Sequence, residues 1–228
     1  MDLPSKVLVF EAHSDDTVIG MGGLVRKLSS HGVEICVCTV TKGETAHTEE
    51  NVGDIVQIRQ DEGKQADEVL GISEHIFLDH GCQDVRNERS TFHEFVKLIR
   101  EQQPDIIFTH GSHEWHRDHR AISALTEEAW WKATEHDVLP ELGKPFKANA
   151  VVFYEVIPMF TSNPDVCIDV TKYWNSKKDA IRCFTSQMNT MQEFEGLVDG
   201  KGLYRGYLIG CKYAEAFIFS KFLPRTTF

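Results

Sequence analysis

The sequence predicts an α/β fold in three layers, a mostly parallel sheet covered by helices on both faces. Three observations carry that expectation. Short apolar runs at residues 7–12, 33–40, 75–78, 105–109 and 150–156 have the length and composition of buried strands. Longer stretches between them, 19–30, 55–70, 92–101 and 119–134, place apolar residues at helical spacing. The strict alternation of the two is the pattern of βαβ crossovers.

The elements follow in order. The first strand breaks at Glu11-Ala12 into the polar knot His13-Ser14-Asp15-Asp16, followed by Gly20, Gly22 and Gly23 and then by Leu24, Val25 and Leu28 at helical spacing. A loop so placed lies beyond a strand's carboxyl end, where an open α/β sheet presents its ligands. In the second strand Cys36 and Cys38 alternate, as core residues facing one side. Residues 42–54, 79–90 and 189–203 are rich in polar residues and glycine and are expected to be long loops of the kind that carry binding functions or lids. The fourth strand ends in His-Gly-Ser-His-Glu-Trp-His-Arg-Asp-His, residues 110–119, with histidine at every third position. A helix near 172–186 and a last strand over 215–221 complete the chain.

Composition narrows the function. At 228 residues one domain over 1–228 suffices. A formal net charge of −11 argues against nucleic acid or an anionic membrane as the main partner. No apolar run reaches membrane-spanning length, and the opening residues MDLPSK lack the apolar core of a signal peptide. Six cysteines without a CxxC pair fit a reduced, cytoplasmic protein.

The two polar turns suit one chemistry. A hydrolytic zinc site takes three N/O protein ligands and keeps one position open for water. His13 and Asp16 from the first turn and His119 from the second satisfy that count. Asp15 is placed to take the water's proton, and His116 to stabilise an oxyanion and protonate a leaving amine. Asp118 could accept a hydrogen bond from His116, fixing its tautomer and favouring its charged form. Each turn alone has an ordinary explanation, since Asp-Asp after a strand and Asp118 before a helix are common caps. The segment 113–119 does not contain HExxH, because the residue four after His113 is Arg117. Glu44, His47, His80 and Asp84 sit in loops on the same edge, where a solvated loop is the simpler account.

The chain resembles the LmbE-like (PIG-L-type) zinc deacetylases. Ala12-His13-Ser14-Asp15-Asp16 is similar to their AHPDD and His116-Arg117-Asp118-His119 to their HPDH. Arg59-Gln60-Asp61-Glu62 with Ala66 and Leu70-Gly71, Thr41 to Glu44, Ile168 to Val170 with Lys177 and Ser186-Gln187, and Tyr213 to Phe217 extend the likeness along most of the chain. The resemblance implies a Rossmann-like fold and removal of acetyl from an N-acetylglucosamine-type sugar or conjugate. It makes His13, Asp16 and His119 the Zn2+ ligands, Asp15 the base and His116 its electrostatic or acid partner. It also puts Arg59 near the substrate, against the plainer reading of an i,i+3 pair with Glu62. Ser14 and Arg117 replace the family's prolines, and Arg117 and Trp115 are expected to border the pocket, where Trp115 stacks on a sugar or serves packing.

The expected partner is a small amino sugar, with a homo-oligomer suggested by the aromatic tail 217–228. Trp130-Trp131 and Phe153-Tyr154 read as core or interface. Amide hydrolysis of a thiol conjugate on the same site is the nearest alternative. A non-catalytic sugar- or nucleotide-binding protein is the next. A dinucleotide-binding oxidoreductase is disfavoured, because the glycines do not form GxGxxG and Asp15-Asp16 would repel a pyrophosphate.

Overall fold

The computed structural model describes residues 3–45, 52–137, 139–160 and 162–223. Its elements are β1 (Lys6–Glu11), α1 (Asp16–Ser29), β2 (Glu34–Thr41), α2 (Val52–Leu70), β3 (Glu74–His80), α3 (Arg89–Gln102), β4 (Ile106–His110), α4 (Arg117–Lys132), β5 (Ala150–Tyr154), β6 (Val166–Asp169), α5 (Trp174–Ile181), α6 (Met188–Ile209) and β7 (Ala214–Phe219). Seven strands form one sheet in the order β3-β2-β1-β4-β5-β7-β6. β3 through β5 run parallel, and β7 is antiparallel to both β5 and β6.

β1 explains its own sequence. Val7 and Val9 point into the core shared with α1, α2 and α5, while Leu8 and Phe10 point into that shared with α3 and α4. A strand buried on both faces reads as a continuous apolar run rather than an alternating one. Phe10 stacks on Phe95 of α3 at 4.3 Å between ring centres. Cys36 and Cys38 both lie in the α3–α4 core, on one side of β2 as expected.

The chain order reverses at β1 and β4: α1 leads from β1 to β2 on one side, and β4 adds on the other. Ligand sites in such sheets form beyond the carboxyl ends of the strands at this switch. Here those ends carry the two polar turns.

Two expectations need correction, and one strand was not foreseen. β6 is a short, partly exposed four-residue strand near the edge and gives too little pattern to be read. The 172–186 helix is helical only as α5, flanked by 3-10 turns at Thr171–Tyr173 and Thr185–Gln187. Residues 189–203, expected to be a loop, lie inside α6. Glycine content misled there: Gly196 and Gly200 face open space, and Gly202 serves packing, since a Cβ on it would stand 2.2 Å from the Trp174 ring. Tertiary contact overrides the low helix propensity.

α1 is not continuous. Met21 leaves helical geometry (φ −144°, ψ 20°). Past this break the amides of Gly23 and Leu24 donate to Glu215 Oε1 and Oε2 of β7, at 2.9 and 2.7 Å. Lys177 Nζ of α5 neutralises that buried carboxylate at 2.6 Å. The glycines of this helix allow it to lie close to the sheet: a Cβ on Gly20 would meet the Tyr154 ring at 2.4 Å.

Candidate active site and metal centre

The first turn is folded by its own side chains. After β1 the backbone closes with Asp16 N donating to His13 O at 3.1 Å, and Asp16 Oδ2 accepts from His13 N at 2.8 Å. This short ring presents the His13 imidazole and the Asp16 carboxylate to the same point. The second turn leaves β4 at His110 and enters α4 with His116 as its cap, so that His119 falls in the first helical turn. Ala12 N donates to His110 Nε2 at 2.9 Å and ties the two turns together.

His13 Nδ1, Asp16 Oδ2 and His119 Nε2 converge into a nearly equilateral triangle with sides of 3.2, 3.3 and 3.3 Å. Zinc bonds of about 2.0–2.1 Å in tetrahedral geometry require ligand–ligand edges of about 3.3–3.4 Å. The donor set and its spacing therefore fit a tetrahedral cation with one vertex free. Two groupings of possible ligand atoms overlap at His119, one with His13 and His116, the other with Asp16 and His110.

Electrostatics agree with a cation-binding centre. Burial alone would raise Asp16, but His119, His13 and His110 outweigh it and hold the carboxyl well below its usual range. Burial disfavours a charged His13 and a charged His119, yet Asp16 raises both, His119 to about 9. The site draws positive charge onto its imidazoles, which a metal ion would replace. His110, fully buried and stacked on His119 at 4.0 Å, is pushed well below its usual value by burial and by His119.

Asp15 lies on the rim of the same pocket, a cavity of about 210 Å3, together with Arg59, Cys82, His116, Gln187 and Phe194. Arg59, only 3% exposed, gives Nη2 to Asp15 Oδ1 at 3.1 Å. Its Nε and Nη1 have no hydrogen-bond partner among the described residues. Glu62 does not pair with it; that carboxylate accepts from Thr185 Oγ1 and from the amide and hydroxyl of Ser186, fixing the turn that brings Gln187 to the pocket.

The Asp118 expectation fails. Its buried carboxylate accepts from Gln83 N and Val85 N at 2.6 and 3.3 Å and stands 3.7 Å from His116 Nδ1. That Nδ1 accepts from the Asp118 amide instead. Burial, then His13 and His119, push His116 below its usual value, and with Nδ1 accepting, a neutral ring carries its proton on Nε2.

Trp115 is 71% exposed and stands outside the pocket lining, on a loop whose carbonyls at Glu114 and Trp115 are gripped by Arg120. Arg117 likewise does not line the pocket. Glu44 braces the Cys82 amide, His80 pairs with Glu94, and Asp84 with Arg86. His47 lies outside the described residues. His113 lines a second cavity with Phe153 and Phe160. Trp130 and Tyr154 are core, and Trp131 packs on Phe222 of the tail within the same chain. Residues 224–228 of that tail also lie outside the described residues.

Sequence reasoning assigned no part in the site to Glu114 or Cys82, and knew Gln187 only as half of the Ser186-Gln187 likeness. Glu114 sits within the histidine run and was visible only as a failed HExxH; the other two come from loops whose approach depends on the tertiary fold.

Residues 8–130 match the family model described as PIG-L, GlcNAc-PI de-N-acetylase. A diacetylchitobiose deacetylase of Thermococcus kodakarensis is 30% identical, covering 94% of this chain and 82% of its own. A 4-oxalmesaconate hydratase of Pseudomonas putida is 26% identical, covering 100% of this chain and 93% of its own. Among solved structures, N,N'-diacetylchitobiose deacetylase from Pyrococcus horikoshii superposes with a TM-score of 0.88 at 26% identity, covering 96% of this chain and 85% of that one.

Proposed function

Because the chain belongs to the PIG-L family, we propose that it is a zinc-dependent hydrolase that removes the acetyl group from an N-acetylglucosamine-type sugar or conjugate. The observation that carries the reading is the 3.2–3.3 Å triangle of His13, Asp16 and His119, which would hold the ion. Once bound, the ion supplies Lewis acidity toward a water and toward the acetyl carbonyl.

The rest is the work of side chains. Asp15 takes the proton of the attacking water, and Arg59 on Oδ1 holds the carboxylate turned to the pocket. His116 donates Nε2–H to the developing oxyanion as a neutral imidazole, oriented by the Asp118 amide on its other nitrogen. The proton held by Asp15 passes to the amine as the C–N bond breaks, giving acetate and a free amino sugar. The single sheet spanning the described residues supports one domain over 1–228. No helix among them is long and apolar enough to cross a membrane, and six free cysteines suit a reducing cytoplasm. A homo-oligomer is supported by α6, which exposes Leu203, Tyr204, Tyr207 (82% exposed) and Leu208.

The test joins metal analysis of the purified protein to acetate release from N,N'-diacetylchitobiose, an N-acetylglucosaminyl conjugate and a thiol-conjugate amide. Asp15→Asn is expected to keep its metal and lose about 10²–10⁴-fold in turnover. Full activity in that variant removes Asp15 from the reaction. The hydratase relative sets the rival outcome, water addition without acetate. Against it, Arg59 is the only Arg or Lys lining the pocket among the described residues, and it already reaches Asp15, a poor provision for a polycarboxylate substrate.

A further inference from the structure

We infer that Glu114 is the positioning residue of His119: its carboxylate holds the imidazole in the tautomer that leaves Nε2 free for a cation. The inference rests on the metal-site reading above and adds a group outside the ligand triangle.

Glu114 is buried, a costly place for a carboxylate without partners. Oε1 accepts from Val156 N at 2.9 Å, just past the end of β5. Oε2 faces His119 Nδ1 at 3.5 Å. Both of these facing atoms are buried, and neither has a hydrogen-bond partner among the described residues. Two orphaned polar atoms in the interior, a donor position opposite an acceptor, form a pair a few tenths of an ångström short of a bond.

Tautomer chemistry gives the pair its purpose. A neutral imidazole carries one proton, and His119 can offer a lone pair at Nε2 only if that proton sits on Nδ1. A carboxylate opposite Nδ1 favours that form and raises the basicity of Nε2. His110 cannot do this, since its own Nε2 accepts from Ala12 N and its ring stacks on His119 face to face. Glu114 is itself held from outside. The Val156 amide binds Oε1, while the carbonyls of Glu155 and Val156 accept from buried Lys201, so the backbone that braces Glu114 is held on both sides of Val156. Val156 also lines the substrate cavity, so the same carboxylate sets the ligand imidazole and one wall of the pocket.

The test is Glu114→Gln. An amide can accept through its one oxygen, so it can satisfy the Val156 amide or the His119 Nδ1–H, not both. Chelator competition with Zn2+ and Co2+ should show about 10–100-fold weaker binding than wild type. The metal-free variant should unfold close to the wild-type temperature. Equal affinity in a folded variant overturns the role of Glu114 and leaves the metal site standing. A wild-type protein that binds neither ion overturns both. If the variant does not fold, imidazole ¹⁵N NMR of the zinc-loaded wild type decides. A slowly exchanging proton on His119 Nδ1 supports the inference, and metal on Nδ1 or a freely exchanging proton there refutes it.

Discussion

In the proposed reaction one residue, Arg59, joins binding to catalysis. It is buried on α2, its Nη2 reaches Asp15, and Nε and Nη1 have no partner among the described residues. A guanidinium can hold the base and a substrate oxygen at once through separate N–H groups; an ammonium cannot reproduce that fork. Arg59→Lys should lower kcat/KM about 10–100-fold, the size of a charged hydrogen bond, with metal content unchanged. Steady-state kinetics with metal analysis checks it, and undiminished kcat/KM would assign Arg59 a packing role over the Phe184 ring. The three residues of the triangle were legible in the sequence because each sits two to nine residues past a strand end. The partner of Asp118 was not. Its acceptor sites are filled by amides of residues 83 and 85, from a loop 35 and 33 residues away.

At the scale of elements, the feature to test is the break in α1. Glu215 receives the two amides the break releases and forms an ion pair with Lys177 in the interior. Removing one partner of such a pair strands the other charge, at a cost of about 3–5 kcal/mol. Glu215→Ala should lose stability on that scale in urea unfolding; a loss below about 1 kcal/mol would show the break to be held by packing alone. Because Asp15 and Asp16 lie at the head of this helix, metal affinity should fall with it. The five parallel strands and first four helices were readable from periodicity, since each buries a continuous or helically spaced apolar face. α6 was not: of its four glycines, which suit a loop locally, Gly202 and Gly206 are required by the Trp174 ring and the chain after Ile209.

Across the whole molecule, a buried polar chain links four elements. Glu11 of β1 accepts from Thr39 Oγ1 of β2 at 2.5 Å, Thr39 meets His75 Nε2 of β3 at 2.7 Å, and His75 Nδ1 meets Asp67 of α2 at 2.7 Å. Burial pushes Glu11 up to about 7 from 4.5. A folded value above the unfolded one means the contribution is intact below about pH 4.5 and disappears as pH rises through 7. Metal-free Glu11→Gln should therefore gain about 2–3 kcal/mol relative to wild type between pH 5 and pH 8. Urea melts at the two pH values measure this, and a constant difference would show Glu11 to be ionised throughout. The neighbouring placement of β1 and β4 has a consequence for how the protein is made. Ala12 and His110 touch across 98 positions of sequence. A nascent chain that has emerged only through α3 thus carries two of the triangle's three donors. On the proposed metal-site reading, loading follows synthesis of β4 and α4, and metal-stripped protein should take up its ion again without refolding.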